Sequence, residues 1–266
     1  MRKAWKVLRH FPAYLRTRNT RFLVYTMGKV GSTSLYDSLR FEYPFLSVHH
    51  IHFLTEEGVA NQLAYTQSQP LIEVVKRQVK AIRSVWDRSV WVVITLVRDP
   101  MARDISDIGE AISVENIDPA SVNVQYLKER FDAFDHQYAL RWFREELNKQ
   151  LQLDVFNTPF DHKKKYSVYR FPKGHLIVLR LEDLADTASP ALKEVAGLKL
   201  KRTTRANTSA QKQYLEALKN LSEHLTLTPE KYQEVYENDY AEHFYTPEER
   251  RNFAKRWVSN GGKGAS

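Results

Sequence analysis

The feature that most constrains this chain is the run Val90–Val97, VWVVITLV, in which Thr95 is the only polar residue. A strand buried on both faces has this composition, and such strands belong to parallel sheets that are covered by helices. The run is too short to cross a membrane as a helix, and no other run in the chain is long enough. It therefore predicts a central strand in a protein of the α/β class.

Patterns on both sides of this run complete a strand and helix alternation. Residues 21–27 and 45–53 predict two earlier strands, and residues 33–40 predict a helix between them. Apolar residues spaced three and four apart from Ile72 to Trp86 predict a helix that begins after Ser68 and Pro70. Further along the chain we expect one long helix and three strands, over residues 127–142, 153–156, 166–171 and 175–181.

The alternation favours a single domain over residues 21–257, with a central parallel sheet flanked by helices. Residues 258–266 are rich in glycine and predict a disordered tail. Residues 1–20 form a basic lead-in segment with interspersed apolar residues. Two interpretations of this segment stay open: a helix packed on the domain, or a peripheral contact with an anionic membrane.

Composition narrows the chemistry further. The chain has no cysteine, which excludes disulfides, a thiolate metal site and a cysteine nucleophile. It has 40 lysines and arginines against 32 aspartates and glutamates, a net charge of +8. An excess of this sign favours an acidic ligand or substrate.

The loop after the first predicted strand has the composition of an anion site. It reads Thr26-Met27-Gly28-Lys29-Val30-Gly31-Ser32-Thr33-Ser34 and leads into a helix. Glycines let the backbone approach an anion, and the unpaired N–H groups of the helix start can bind one. The lysine lies between the glycines, not directly before the Ser/Thr as in nucleotide-triphosphate loops, so we expect a phosphate or sulfate loop of a different kind.

A second polar motif follows Val90–Val97. Residues 98–106 read RDPMARDIS, and Pro100 can begin a helix on which Arg103 and Ser106 lie three apart. Arg98 would lie at the carboxyl end of a parallel strand, where α/β sheets bind ligands. The motif therefore predicts a second anion contact through Arg98, Arg103 and Ser106. The alternative is a surface pair between Asp99 and Arg103.

Together, GKVGSTS and RDPxxRxxS resemble the motifs of sulfotransferases that use 3′-phosphoadenosine 5′-phosphosulfate. The resemblance implies a P-loop-like, sulfotransferase-type nucleotide fold in which residues 28–34 hold the 5′-phosphosulfate. It implies that Arg98 and Ser106 hold the 3′-phosphate; Arg103 is expected beside them from its spacing on the helix. The segment LRLEDL at 179–184 is similar to a later family segment. A late basic loop of the family implies Arg205, Asn207 and Lys212 as further cofactor contacts.

Residues 154–169, with VFNTPFD and KKKYSVY, look like the bacterial capsular-polysaccharide type of sulfotransferase. This narrower resemblance implies transfer of a sulfuryl group to a hydroxyl of a glycan in the cytoplasm, with adenosine 3′,5′-bisphosphate as the product. An anionic glycan would suit the positive net charge. No metal and no nucleic acid are expected as partners.

Sulfuryl transfer needs a charge near the leaving oxygen and a base for the acceptor proton. Lys29 is assigned to the leaving oxygen. His50 and His52 share one face of a strand, and their pattern is similar to glycan 2-O-sulfotransferases, which implies His52 as the base and His50 as its assistant. Glu56 and Glu57 are alternative bases. The histidines could instead be satisfied core residues or two zinc ligands.

Two other classes of function stay open. One is an ATP-dependent kinase with a degenerate phosphate loop, in which Asp99 would bind Mg²⁺. The other is a basic nucleic-acid-binding module, for which only the net charge speaks.

Overall fold

A computed structural model describes residues 12, 15, 17–66, 68–115, 117, 122–201 and 227–257. Contacts divide the chain into two compact units. The first comprises the described residues of Met1–Val97 and Arg141–Ala206, and the second those of Arg98–Leu140 and Asn207–Ser266. The lead-in segment 1–20 and the tail 258–266 lie largely or wholly outside the described residues. The prediction of one domain over residues 21–257 stays a prediction.

The first unit is built on a five-stranded sheet in the order β2-β1-β3-β5-β4. Its strands are β1 (Thr20–Tyr25), β2 (Ser47–Ile51), β3 (Val90–Val97), β4 (Tyr166–Phe171) and β5 (Gly174–Arg180). Four of them run parallel, whereas β4 pairs antiparallel with β5. The predicted mixed α/β class with a mostly parallel central sheet is confirmed. The finer assignment to a sulfotransferase-type nucleotide fold stays a prediction.

Strand β3 lies at the centre of the sheet, as its composition predicts. It pairs with β1 on one side and β5 on the other, and every residue from Trp91 to Val97 is buried. Burial of both faces removes a continuous apolar surface from water, and each Å² of apolar area buried stabilises the fold by roughly 25 cal/mol. β3 therefore anchors the sheet.

Helices of the first unit pack on this sheet or connect its strands. They are α1 (Ser32–Glu42), α2 (Glu56–Tyr65), α3 (Gln69–Arg83) and α8 (Leu184–Ala196), together with α7 (Asn148–Leu151) and a π-helix at Trp142–Leu147. Val75, Val79 and Ile82 are the buried residues of α3, which confirms the predicted apolar spacing. The helix ends at Arg83, so Trp86 follows it in a turn.

The second unit is helical. Its helices are α4 (Pro100–Val114), α5 (Val124–Asp132), α9 (Pro229–Tyr236), α10 (Asp239–Phe244) and α11 (Pro247–Ala254). The short helix α6 (Tyr138–Arg141) lies at the boundary of the two ranges. Each of α9, α10 and α11 begins after an Asn or Thr whose side chain accepts a hydrogen bond from the first turn.

Two predicted elements are wrong in detail. The single long helix over 127–142 is interrupted after α5, because the Asp135 carboxylate accepts a hydrogen bond from the Gln137 N–H and forms a turn. The strand over 153–156 is a 3-10 turn at Val155–Asn157, since the Asp154 side chain accepts from the Phe156 N–H. In both places a short acidic side chain competes with regular backbone pairing.

Among the described helices, none has both the length and the apolar character that crossing a bilayer would require.

Candidate functional site

The loop between β1 and α1 has the backbone of an anion cradle. Lys29 and Gly31 both adopt left-handed conformations, with φ of 68° and 76°. Such residues alternate with right-handed ones in the concave nests of N–H groups that bind phosphate and sulfate. Lys29 is a non-glycine residue at positive φ, which costs on the order of 1 kcal/mol and is typical of functional loops.

The two glycines of this loop have different surroundings. A Cβ at Gly28 would meet nothing within 4 Å. Gly31 precedes α1 directly, and no side chain caps the start of that helix. A Cβ at Gly31 would lie 2.5 Å from a Leu181 methyl, so the resembling segment LRLEDL touches the loop here. The helix start therefore presents N–H groups and a positive dipole end to a ligand.

The other loop residues differ in what they offer. Val30 is buried and fastens the loop to the core, so it can contribute only backbone groups. Ser32 is buried, Thr33 is exposed and Ser34 is half-buried, with its N–H bonded to the Gly31 carbonyl. Buried side chains of the loop therefore anchor it, and its backbone groups are left for binding.

His50 and His52 lie together beside this loop. Their ring centroids are 5.2 Å apart, which confirms that they share one face. His50 Nε2 is 2.9 Å from Ser32 Oγ, at the first residue of α1. The His52 Nδ1 is 2.7 Å from the carbonyl oxygen of Thr26, the first residue of the loop. The histidines therefore connect the end of β2 to both ends of the anion loop.

The contact with Thr26 determines the tautomer of His52. A carbonyl oxygen only accepts, so Nδ1 carries the proton and the lone pair of the neutral ring lies on Nε2. This orientation, with one nitrogen held by a backbone carbonyl, is the one that a histidine base uses. His50 is different, because burial and the neighbouring His52 lower its pKa to about 4. His50 is therefore neutral at pH 7.

A buried carboxylate holds the segment that follows His52. Glu146, in the π-helix Trp142–Leu147, accepts hydrogen bonds from the Tyr25 hydroxyl, the Leu54 N–H and both the N–H and the hydroxyl of Thr55. Tyr25 is the last residue of β1. Burial, and then the Glu146 charge, raise the pKa of Tyr25 well above 10. The Glu146 contacts join the ends of two parallel strands.

Two further side chains bind the same segment. Trp142 Nε1 donates to the His52 carbonyl oxygen at 2.9 Å, and its ring packs against Tyr25. Arg83, the last residue of α3, donates through Nη2 to the Leu54 carbonyl at 2.7 Å. The backbone of the predicted base and of the segment that follows it is thus fixed by side chains from distant parts of the chain.

The role of Glu146 is absent from the sequence-based prediction. Glu146 falls three and four residues after Phe143 and Trp142 and directly before Leu147, and all three are buried. A carboxylate on the apolar side of a helix is costly unless donors surround it. That placement, beside the exposed Glu145, is the signal that could have found it. Glu56 and Glu57, the alternative bases, are exposed in the first turn of α2.

The second predicted motif belongs to the second unit. Arg98 follows Val97 directly, and its backbone N–H and carbonyl both bond to the Tyr240 hydroxyl at 3.0 Å. Ser106 lies on α4 and is half-buried. These contacts fix the backbone of Arg98 within its own unit.

Arg103 is only 2% exposed. Its guanidinium donates to Asp104 at 2.8 Å and to Asp107 at 2.7 Å, and it lies 4.3 Å from the Tyr138 ring centroid. His136 bonds to the other oxygen of Asp104. Burial raises the pKa of Asp104, although its bonds to His136 and Arg103 act against this. Such contacts disfavour the predicted role of Arg103 in binding a cofactor, because two carboxylates already engage its guanidinium. Neither of these carboxylates belongs to Asp99, the residue that the alternative interpretation paired with Arg103.

Asp99 caps α4 and is buried. Its Oδ1 accepts from the Tyr236 hydroxyl at 2.8 Å and from the Met101 N–H, which are structural contacts. In the part of the chain that the structure describes, no group of three His, Asp or Glu side chains could hold a metal ion. Arg205, Asn207 and Lys212 lie outside the described residues.

The structure is that of a mixed α/β protein in which a glycine-containing loop and a histidine pair lie at the carboxyl ends of two neighbouring parallel strands. Residues 117–246, just under half of the chain, match the NKWYS family, described as "Putative capsular polysaccharide synthesis protein". The match includes the segment 154–169 and Glu146, and it leaves out the loop and both histidines. A search of curated proteins and a search of solved structures find no match.

Proposed function

We propose that this chain is a sulfotransferase that transfers a sulfuryl group from 3′-phosphoadenosine 5′-phosphosulfate to a hydroxyl of a glycan. The observation that carries the proposal is the contact of His52 with the loop Thr26–Ser34 through the Thr26 carbonyl. It supports an anion site and a correctly oriented base within one unit of the chain.

The residues of the loop fit a phosphosulfate group. The open space at Gly28, the left-handed Lys29 and Gly31, and the uncapped start of α1 supply room, a positive charge and N–H donors. By its resemblance to the family, Arg98 with Ser106 would hold the 3′-phosphate. When bound, the co-substrate supplies a sulfuryl group on a phosphate that can leave.

The chain's own residues have two tasks in this reaction. Lys29 would neutralise the negative charge that develops on the phosphate oxygen as the sulfur–oxygen bond to it breaks. His52 would accept the proton of the acceptor hydroxyl at Nε2 while the acceptor oxygen bonds to sulfur. The Thr26 carbonyl orients that imidazole through Nδ1. Trp142 holds the backbone of His52 by donating to its carbonyl oxygen. The ring then returns the proton to solvent.

The glycan acceptor has separate support. The similarity of residues 117–246 to a family described by capsular polysaccharide synthesis favours a sugar hydroxyl over other acceptors. The excess of positive charge favours an acidic glycan. The kinase alternative is less favoured, since Oδ1 of its proposed Mg²⁺ ligand Asp99 accepts hydrogen bonds from Tyr236 and from the start of α4.

Ligand-dependent thermal stability tests the proposal. Adenosine 3′,5′-bisphosphate at about 100 times its Kd should stabilise the full chain by about 2.7 kcal/mol, visible as a higher Tm. ATP with Mg²⁺ should have a much smaller effect. Lys29→Ala should weaken the stabilisation, because it removes the charge in the cradle.

Lys76→Ala is the matched control, since Lys76 is an exposed lysine of α3. It should respond to the nucleotide as the unmodified chain does. Stabilisation by ATP with Mg²⁺ but not by the bisphosphate would favour the kinase. An unchanged response of Lys29→Ala would refute the assignment of the loop.

A further inference from the structure

A second basic region lies at the amino ends of the strands, opposite the ends that carry His52. There Thr20 of β1 pairs with Val90 of β3, and Arg21 pairs with Ser47 of β2. A cavity of about 510 Å³ opens at this edge. We call it the amino-edge cavity; its lining includes Arg18, Arg21 and Arg88.

Among the described residues, the lining of the cavity has three guanidinium groups and no acidic side chain. Within the described residues, none of the ion pairs involves Arg18, Arg21 or Arg88. Elsewhere, by contrast, Arg180 and Arg250 each pair with a carboxylate. Positive charge at this edge is therefore left for a ligand to neutralise.

Arg21 is held in place by neutral groups. Its Nε donates to Ser89 Oγ and its Nη1 to Ser47 Oγ, both at 3.0 Å. Ser47 also bonds to His49 Nε2 at 3.2 Å. Burial, and then the charge of Arg21, lower the pKa of His49, so this ring stays neutral at pH 7. The hydroxyls orient the guanidinium without cancelling its charge, which is a preorganised arrangement for an anion.

The sequence around the cavity adds to this excess of charge. Eight lysines and arginines precede Asp37, which is the first acidic residue of the chain. The segment before Thr17 thus has no carboxylate with which to neutralise the cavity arginines. A carboxylate or other anion that neutralises them has to come from outside residues 1–36.

The size and lining of the cavity indicate which kind of anion. Sites for whole small molecules measure roughly 300–1,000 Å³, so the cavity exceeds what a single phosphate or sulfate needs. Asn19 and Ser89 offer hydrogen bonds for hydroxyl groups, and the half-buried Phe45 offers an apolar face for a ring. A sugar ring that bears an acidic group combines these three properties.

We propose that the amino-edge cavity is a second binding site, for an acidic sugar unit of a polysaccharide. Arg18 and Arg88 bind the carboxylate or sulfate of that unit, while the hydroxyl and amide groups bind its ring oxygens. The site requires no transfer chemistry and lies at the sheet edge opposite the proposed reaction. It would hold a part of the polymer away from the reacting hydroxyl.

Calorimetry on the full chain tests this site. A hyaluronan tetrasaccharide, which carries glucuronate, should bind, and maltotetraose, a neutral sugar of similar length, should not. Raising the salt from 20 to 200 mM should weaken the binding, because exposed charges are screened. The double variant Arg18→Ala, Arg88→Ala should lower the affinity at least about tenfold. Its binding of adenosine 3′,5′-bisphosphate should be unchanged.

Arg40→Ala, Arg77→Ala is the control, because it removes the same charge from exposed positions of α1 and α3. It should bind the tetrasaccharide as the unmodified chain does. Arg88→Glu, at an exposed turn residue, is a second variant should the double variant misfold, and it should abolish binding. The proposal would be overturned if either variant bound the tetrasaccharide as tightly as the unmodified chain does, or if maltotetraose bound equally well. Binding to phosphatidylglycerol vesicles but to neither sugar would also overturn it. Tetrasaccharide binding without any nucleotide binding would refute the sulfotransferase and leave this site intact.

Discussion

At the scale of single residues, His50 in β2 and His52 just after it have different environments, although they are only two positions apart. His50 is bonded to Ser32, whereas His52 is bonded to a backbone carbonyl. A hydroxyl can donate or accept, so the contact of His50 leaves its tautomer open. A carbonyl leaves only one tautomer for His52. The difference favours His52 over His50 as the proposed base.

His52→Ala should lower kcat for sulfuryl transfer about 10²–10⁴-fold, the usual contribution of a general base. Nucleotide affinity should stay within about twofold, because the anion loop keeps its glycines and Lys29. Steady-state kinetics and calorimetry measure the two effects. His175→Ala, at the amino end of β5, is the control and should leave kcat unchanged. A His52→Ala variant with full turnover would transfer the role of base to another residue.

The low pKa of His50 makes stability depend on pH. The unfolded ring titrates near 6.5 and the folded ring at about 4, so the unfolded chain binds more protons between these values. The contribution of this histidine is complete above pH 6.5 and is lost as the pH falls towards 4, on the order of 3 kcal/mol in total. His50→Asn should show a smaller loss of stability between pH 7 and pH 5 in urea titrations. A loss as large as that of the unmodified chain would contradict the assignment.

At the scale of elements, the π-helix Trp142–Leu147 supplies side chains that hold the segment after His52. A π-helix is a rare departure from regular pairing and is frequent at functional sites. Here it carries Trp142 and Glu146, which both bond to the segment between His52 and Thr55. The element therefore positions the predicted base without contributing a group to the reaction.

Glu146→Gln keeps the shape of the side chain but turns one acceptor oxygen into a donor. The variant should lose about 1–3 kcal/mol of stability, since a buried donor then faces N–H and O–H groups. We expect kcat to fall about tenfold, with KM for the nucleotide unchanged, because only the His52 segment is released. Urea titrations and steady-state kinetics separate these effects.

Glu145→Gln is the matched control, because its exposed side chain neighbours Glu146 on the same helix. It should change neither stability nor kcat. A Glu146 variant that lost stability while kcat and its pH profile stayed the same would show a purely structural carboxylate.

At the scale of the whole molecule, those parts of the fold that depend on local pattern could be predicted from the sequence. The bounds of β3 and the presence of the parallel strands follow from apolar runs. The direction of β4 and the interruption after α5 could not be predicted in this way. They depend on which strand β4 pairs with and on the hydrogen bond of Asp135, and neither is visible in periodicity.

The candidate site divides in the same manner. The loop glycines, Lys29 and the shared face of His50 and His52 follow from composition and from the two-residue period of a strand. Glu146, Arg83 and Trp142 act through contacts made across 29 to 121 residues of chain. Arg103 was expected to face a ligand, and helical spacing alone cannot distinguish that from its pairing with Asp104 and Asp107.

The arrangement of the sheet also determines what its assembly costs in chain entropy. Only β4 and β5 are joined by a tight turn, so their pairing closes a loop of a few residues. The pairing of β1 with β3 joins Thr20 to Val90, and that of β3 with β5 joins Trp91 to Gly174. Each doubling of a loop adds about 0.6 kcal/mol to its closure. The centre of the sheet, where β1 leads into the loop, is therefore the part whose strands are brought together from the greatest separation in sequence.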